Sequence, residues 1–288
     1  MNPRRRRLVL LLELAKFRLT LFVSLSAVTG FLLAHQGITL KMFPMLVGVF
    51  LLASGASALN QYQERKEDLQ MERTKRRPIP SGRLSPLSAM NISFILLASG
   101  FCLLYISTSW ETFGLGCAAV LLYNGVYTPL KKKTPFAIIL GALVGALPPA
   151  MGWSSAGGRL EPQLFALCSF FFIWQIPHSW LLLLNDLKDY QKAGFPSLVQ
   201  TGGQHQFEMI SYVWILATVV SSLLIPLFGI GNSLLNLGGL LLLGLLLIWR
   251  ASKTLLIRSK TDSLRFAFRT INFYMLSVMA LFSLDQLL

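Results

Sequence analysis

"MFPMLVGVFLLASGASALNQYQERKEDLQMERTKRRP", Met42 to Pro78, changes character at Asn60. From Met42 to Leu59 it carries no charge and is long enough to cross the hydrocarbon of a bilayer as a helix. Beyond Asn60 it gathers four acids (Glu64, Glu67, Asp68, Glu72) and six bases (Arg65, Lys66, Arg73, Lys75, Arg76, Arg77). An apolar helix running straight into charges of both signs reads as a membrane span with a polar motif at its exit.

The rest of the chain has the same plan. Hydrophobic residues make up 54% of the 288 and charged ones 13%, against about 25% charged in a soluble domain. Apolar stretches long enough to span a bilayer fall at about 17–36, 42–60, 88–107, 111–128, 135–153, 161–182, 207–228, 232–250 and 266–286. The expected fold is all-α and polytopic, a single domain over 1–288 with a basic tail at 1–16. Pro148, Pro149 and Pro177 are expected to break or kink their helices. No small-residue cleavage site follows an apolar stretch, so no removable signal peptide is expected.

Nine crossings put the termini on opposite sides, and charge sets the orientation. Twenty-four of the 26 lysines and arginines fall in the N-terminal tail and the loops after spans two, four, six and eight; only Lys41 and Arg159 fall on the other side. The N-terminus and the charged loops are therefore expected in the cytoplasm. The net charge of +14 is read as this asymmetry, with no nucleic-acid partner.

Three stretches carry candidate chemistry. If span two stays helical past Asn60, then Asn60, Glu64, Glu67, Asp68 and Met71 share one face. Carboxylates one turn apart repel unless a cation sits among them, and oxygen ligands suit Mg²⁺ or Ca²⁺. Arg73, Lys75, Arg76 and Arg77 follow, suited to phosphate oxygens. The alternative is a solvated loop with local ion pairs and bases on anionic lipid. Near the end of span six, "IWQIPHSWLLLLNDLKDYQKAGFP" places Asn185, Asp186 and Asp189 on the same side as the first cluster. Two acidic patches at one face suit a metal-bridged diphosphate, and an ordinary loop with two acids is the alternative. His178, after Pro177, is an intramembrane ionisable residue and so a functional candidate, or else a histidine satisfied by a nearby carbonyl. In "YTPLKKKTPFAIILGALVGALPPAMGW" the lysines neutralise diphosphate or mark the inside, and Gly141 and Gly145 permit close helix packing.

Together these stretches resemble the UbiA superfamily of intramembrane prenyltransferases, and within it most closely the members that farnesylate protohaem. "NQYQERKEDLQMERTKRRP" is similar to N-x-x-x-D-x-x-x-D-x-x-M-x-R-T-x-x-R-P. The Tyr127–Trp153 stretch is similar to Y-T-x-x-L-K-R-x-T followed by G-G-x-x-G-A-x-P-P and Gly-Trp. "WQIPHSW" and "KDYQKAGFP" are similar to W-x-x-P-H-F and D-Y-x-x-A-G-I-P. The resemblance implies nine helices around a central cavity that opens sideways to lipid. It implies catalytic and Mg²⁺-binding roles for Asn60, Glu64, Asp68 and Asp189, diphosphate binding by Arg73, Arg77 and Lys131, and an acceptor-side position for His178. The implied reaction carries farnesyl from farnesyl diphosphate to a vinyl group of haem b, giving haem O, with haem b a substrate and not a resident cofactor. Trp174 and Tyr127 are candidates to shield the allylic cation. The implied setting is a bacterial inner membrane, with haem A synthase or terminal oxidase assembly downstream. A quinone or phenolic acceptor is the nearer alternative. A transporter or haem carrier is the more distant one, and transporter ligands usually sit at the bilayer midplane and not at one face. Glu64 stands where the family usually has Asp, Lys66 where an acid is frequent, Ala137 for Asn and Ala142 for Gly.

Overall fold

The computed structural model describes residues 3–197, 199, 203–256 and 262–287. Among these residues, nine helices are long and apolar enough to cross a membrane: Phe17–His35, Met42–Gln63, Pro86–Ser107, Trp110–Leu130, Ala137–Ser155, Pro162–Asn185, Gln204–Phe228, Leu234–Leu256 and Leu264–Asp285. They are called the first to ninth spans below, and they make this a multi-pass membrane protein. Most boundaries fall within a few residues of those read from hydropathy. The eighth span runs further, to Leu256, through a π-helical turn at Ser252–Leu256. Three short helices carry the polar segments: Pro3–Leu14, Arg65–Gln70 and Leu187–Lys192.

The first span packs against the second, fifth and ninth. The second lies along the third, the fifth along the sixth, the sixth along the seventh and the eighth along the ninth. Phe94, Ile95 and Ile106 of the third span stay exposed, as a lipid-facing helix requires.

Pro148, Pro149 and Pro177 sit inside helices that continue through them, so none of the three breaks its helix. Each proline removes one N–H, so the carbonyls of Val144, Gly145 and Ile173 lose their helical donor. Tertiary packing outweighs that loss around the first pair. A Cβ at Gly30 would lie 2.0 Å from the Pro149 carbonyl oxygen, and one at Gly152 would lie 1.7 Å from that of Ala27. The first and fifth spans thus touch backbone to backbone, the mode small residues allow in membranes. Gly141 and Gly145, expected to serve that purpose, instead face the Tyr127 ring and the Gln175 side chain.

Gly152→Ala should therefore force the first and fifth spans apart and cost about 1–3 kcal/mol, the usual range for overpacking. Gly238→Ala, where the added carbon meets nothing within 4 Å, should leave stability near wild type. Thermal unfolding of both variants in detergent checks the contrast.

Candidate active site

A cavity of about 650 Å³ runs inward from the charged face. Its described lining comes from the first, second, fourth, fifth, sixth and ninth spans and the loops beside them; the third, seventh and eighth contribute none.

At its mouth the second span ends. The helix turns out of register at Glu64 (φ −103°, ψ 11°) and resumes at Arg65. The Glu64 N–H still donates to the Asn60 carbonyl (3.0 Å) and the Asp68 N–H to that of Glu64 (2.8 Å). The one-turn spacing survives the break, so Asn60, Glu64 and Asp68 form a row, all three buried and all lining the cavity with Met71. Glu67 leaves this face, contrary to the continuous-helix reading. It pairs with Lys132 at 2.7 Å and does not line the cavity, because the break turns it outward.

Each member of the row meets a cation. Lys16 Nζ donates to Asn60 Oδ1 at 2.9 Å. Lys131 Nζ lies 2.5 Å from Glu64 Oε1, and Arg77 Nη1 donates to both oxygens of Asp68 at 2.8 and 2.7 Å. Burial works against the Lys131 ammonium, but Glu64 together with Tyr127, Tyr190 and Tyr123 outweighs it and holds the group well above the usual lysine range. Lys16 goes the other way: burial and the neighbouring Arg77 guanidinium bring its pKa down to about 7. The fourth span is tied to the same row. Asn60 Nδ2 donates to Thr128 Oγ1 (3.2 Å), and Asn124 Nδ2 donates to the Ala56 carbonyl (3.0 Å).

The second acidic stretch reaches the first through Arg73. The Arg73 N–H donates to Asp189 Oδ2 at 3.0 Å, and its guanidinium Nε lies 2.6 Å from Asp186 Oδ2. Arg73, Arg77, Lys131 and His178 all line the cavity with the row; Asp189 does not, and stands at the rim behind Arg73.

Deeper in, the walls turn apolar. His178 sits between the rings of Trp174 and Phe268, with centroids at 4.7 and 4.9 Å, and its Nδ1 is 2.7 Å from Asn272 Oδ1. Tyr127, stacked on Tyr123 at 5.8 Å, faces the same space.

The model of the UbiA prenyltransferase family matches residues 23–276. The chain belongs to the UbiA prenyltransferase family. It is 38% identical over 217 residues to a protoheme IX farnesyltransferase of Oleidesulfovibrio alaskensis, covering 75% of this chain and 77% of the relative. It is 35% identical over 275 residues to the protoheme IX farnesyltransferase of Marinobacter nauticus, covering 94% and 89%. Among solved structures, a UbiA homolog from Archaeoglobus fulgidus bound to DMAPP and Mg²⁺ superposes with a TM-score of 0.66 at 17% identity, over 95% of this chain and 99% of that one.

On this UbiA frame, three cavity residues went unnoticed in the sequence. Gln175 and Asn272 are lone amides in apolar runs, and Lys16 looked like one more inside-marking charge. Lys16 is special in its backbone, with φ 50° and ψ 51° at the joint between Pro3–Leu14 and the first span. That joint is held by buried Gln61, whose Nε2 donates to the carbonyls of Glu13 (3.0 Å) and Leu14 (2.8 Å), among the last of the surface helix. Gln61 is adjacent to Asn60 in sequence, so one turn of the second span both fixes the joint and receives its lysine.

Gln61→Leu should leave those two carbonyls unpaired, at about 1–3 kcal/mol. Hydrogen exchange should then speed up over residues 3–16 by roughly tenfold or more while the spans keep wild-type protection; uniform exchange across the chain would contradict a local role.

Proposed function

We propose that the chain transfers a farnesyl group from farnesyl diphosphate to a vinyl group of protohaem IX (haem b), giving haem O. The observation that carries the reading is a single cavity with Asn60, Glu64 and Asp68 set among Lys16, Arg77 and Lys131 at its mouth, and an apolar interior with one histidine. The names of the two relatives support it, as does the Mg²⁺-bound homolog.

Asn60, Glu64 and Asp68, with Asp189 at the rim, offer only oxygen donors, the set a hard divalent ion takes. Glu64 Oε1 is buried and is met by the Lys131 ammonium at 2.5 Å, a cation that a metal ion would replace. The row thus fits Mg²⁺, which when bound there would draw off negative charge from the departing diphosphate. Arg77, Lys131, Arg73 and Lys16 hold the phosphate oxygens, the arginines through paired N–H groups. The bond between farnesyl C1 and the diphosphate oxygen breaks, and the electron pair leaves with the diphosphate. Apolar walls keep water from the allylic cation, and the faces of Trp174 and Tyr127 stabilise it. The terminal vinyl carbon of haem bonds to C1; water then adds to the carbon beside the porphyrin and loses a proton. His178 stands on the acceptor side. The charge asymmetry supports a cytoplasmic N-terminus and cavity mouth, the bacterial relatives support a bacterial inner membrane, and haem O would pass on to haem A synthase or terminal oxidase assembly.

Cells expressing the chain should contain a haem with the mass of the hydroxyethylfarnesyl derivative, absent without the gene. Farnesylation of an aromatic acid by purified protein, with haem b untouched, would overturn the assignment. Asp68→Asn should lower kcat by about 100-fold or more through the lost metal-facing charge; a wild-type rate at saturating Mg²⁺ removes Asp68 from the ligand set.

Arg77→Ala should raise KM for farnesyl diphosphate more than KM for haem. Arg77→Lys should recover only part of the loss, because lysine lacks the fork that meets two oxygens at once. Steady-state kinetics with each substrate varied in turn makes the comparison, and equal effects on both would place Arg77 outside the diphosphate site.

A further inference from the structure

The amide of Asn272 has a fixed orientation. Its Nδ2 donates to the Phe268 carbonyl at 2.7 Å, one turn back on the ninth span. Its Oδ1 is therefore the atom that meets His178 Nδ1 at 2.7 Å. An amide oxygen only accepts, so the imidazole carries its proton on Nδ1. The lone pair then sits on Nε2, which has no hydrogen-bond partner among the described residues. Trp174 and Phe268, one on each side, hold the ring plane, and Trp174 is itself held by a bond from Nε1 to the Ile271 carbonyl at 3.2 Å. His178, Asn272, Trp174 and Phe268 all line the cavity.

This is how proteins prepare a histidine for a metal. A ligating imidazole commonly donates its other N–H to a carbonyl or carboxylate, which fixes the tautomer and raises the basicity of the free nitrogen. Haem iron is among the metals held in this way. Depth agrees as well. His178 is seven residues before Asn185, the end of the sixth span, so it lies about 10 Å inside the cavity mouth. That leaves the diphosphate its place at the mouth and the acceptor a place below it.

We propose that Asn272 is a positioning residue: it holds His178 as the Nδ1–H tautomer so that Nε2 is the axial ligand of the haem iron during farnesyl transfer. The proposal rests on haem being the acceptor. An iron–nitrogen bond leaves the porphyrin one rotation, about that bond, by which its vinyl edge comes under the farnesyl C1. The choice of amide has a consequence too. An acid at 272 would pull on the imidazole proton and add charge at this depth, whereas Asn272 orients the ring and adds none.

The test is resonance Raman spectroscopy of the full-length protein in nanodiscs with ferrous haem b, beside calorimetry with farnesyl diphosphate. Wild type should show an iron–histidine stretching band, and His178→Ala should lose it and regain an iron–imidazole band when imidazole is added. Asn272→Asp, nearly the same shape, should move the band to higher frequency, because a carboxylate gives the ligand more imidazolate character. Asn272→Leu should lower the frequency and weaken haem binding by about tenfold or more, the size usual for loss of an outer-shell partner. Farnesyl diphosphate binding should be unchanged in both Asn272 variants, which also reports that they fold. A band present in wild type but unmoved in Asn272→Asp and Asn272→Leu would overturn the role of Asn272. Haem O formation with no iron–histidine band would overturn ligation while leaving haem as the acceptor. Absence of both haem binding and haem O formation in wild type would remove the acceptor assignment, and the proposal with it.

Discussion

The ion pair between Asp68 and Arg77 joins a buried carboxylate to a guanidinium at the mouth of a cavity enclosed by apolar spans. A charge taken out of water there is tolerated only when it is met by its opposite. The Glu64–Lys131 pair repeats the arrangement one turn away, whereas Lys16 donates to the neutral amide of Asn60 and burial draws its pKa down. Much of the charged face follows from this constraint. The loop after the second span doubles back so that Arg77 reaches Asp68, with Thr74 Oγ1 donating to the Asp68 carbonyl at 2.9 Å to hold the turn. The fourth span ends where Lys131 can reach Glu64. The short helix at the N-terminus stops where Lys16 can reach Asn60. Acids and bases are mated within the protein, and the proposed substrate would change the partners without changing the balance: the oxygens would take a metal ion and the bases the phosphates.

Much of the frame was legible because lipid imposes it. A backbone that crosses hydrocarbon must satisfy its own hydrogen bonds, so a long uncharged run is a helix, and the loop lysines and arginines give it direction. The Asn60–Glu64–Asp68 row was legible as well, since a four-residue period survives a helix break that keeps its i to i−4 bonds. Glu67 shows the limit of that reading. One altered set of dihedrals at Glu64 moves it from the cavity to Lys132, and no residue type in the segment announces the change. The helices run unbroken through their prolines for a different reason. Their local cost is readable in sequence, whereas the compensating contact comes from Gly30, more than a hundred residues away. Asn272 was invisible for the same reason. An amide in an apolar run acquires meaning only from the histidine that another span sets against it.

The bundle divides its labour in a way composition conceals. Spans of similar hydropathy have different duties, and those that line the cavity are marked by single polar or aromatic residues: Tyr123 and Tyr127 in the fourth, Trp174, Gln175 and His178 in the sixth, Asn272 in the ninth. The third, seventh and eighth spans buttress them from outside. A small change in an outer helix is therefore felt as a shift of an inner wall, most directly at Gly100 of the third span, where an added Cβ would lie 2.8 Å from the Leu52 backbone nitrogen.

The fourth span carries a π-helical segment from Leu121 to Tyr127, with the Thr128 N–H bonding back to the Tyr123 carbonyl, five residues away and not four. Relative to a regular helix this holds a surplus residue, and each residue turns a regular helix by about 100°. The segment works as a phase shifter. Upstream of it the span keeps the facing that packs it on the fifth; downstream, Thr128 and Lys131 are rotated onto Asn60 and Glu64. Removing one residue between 121 and 127 would restore a regular helix and leave Lys131 on its carboxylate, whereas winding the same number of residues as a regular helix would swing Lys131 away by more than a quarter of a turn. In this helix, local winding is as much a part of the site as any side chain.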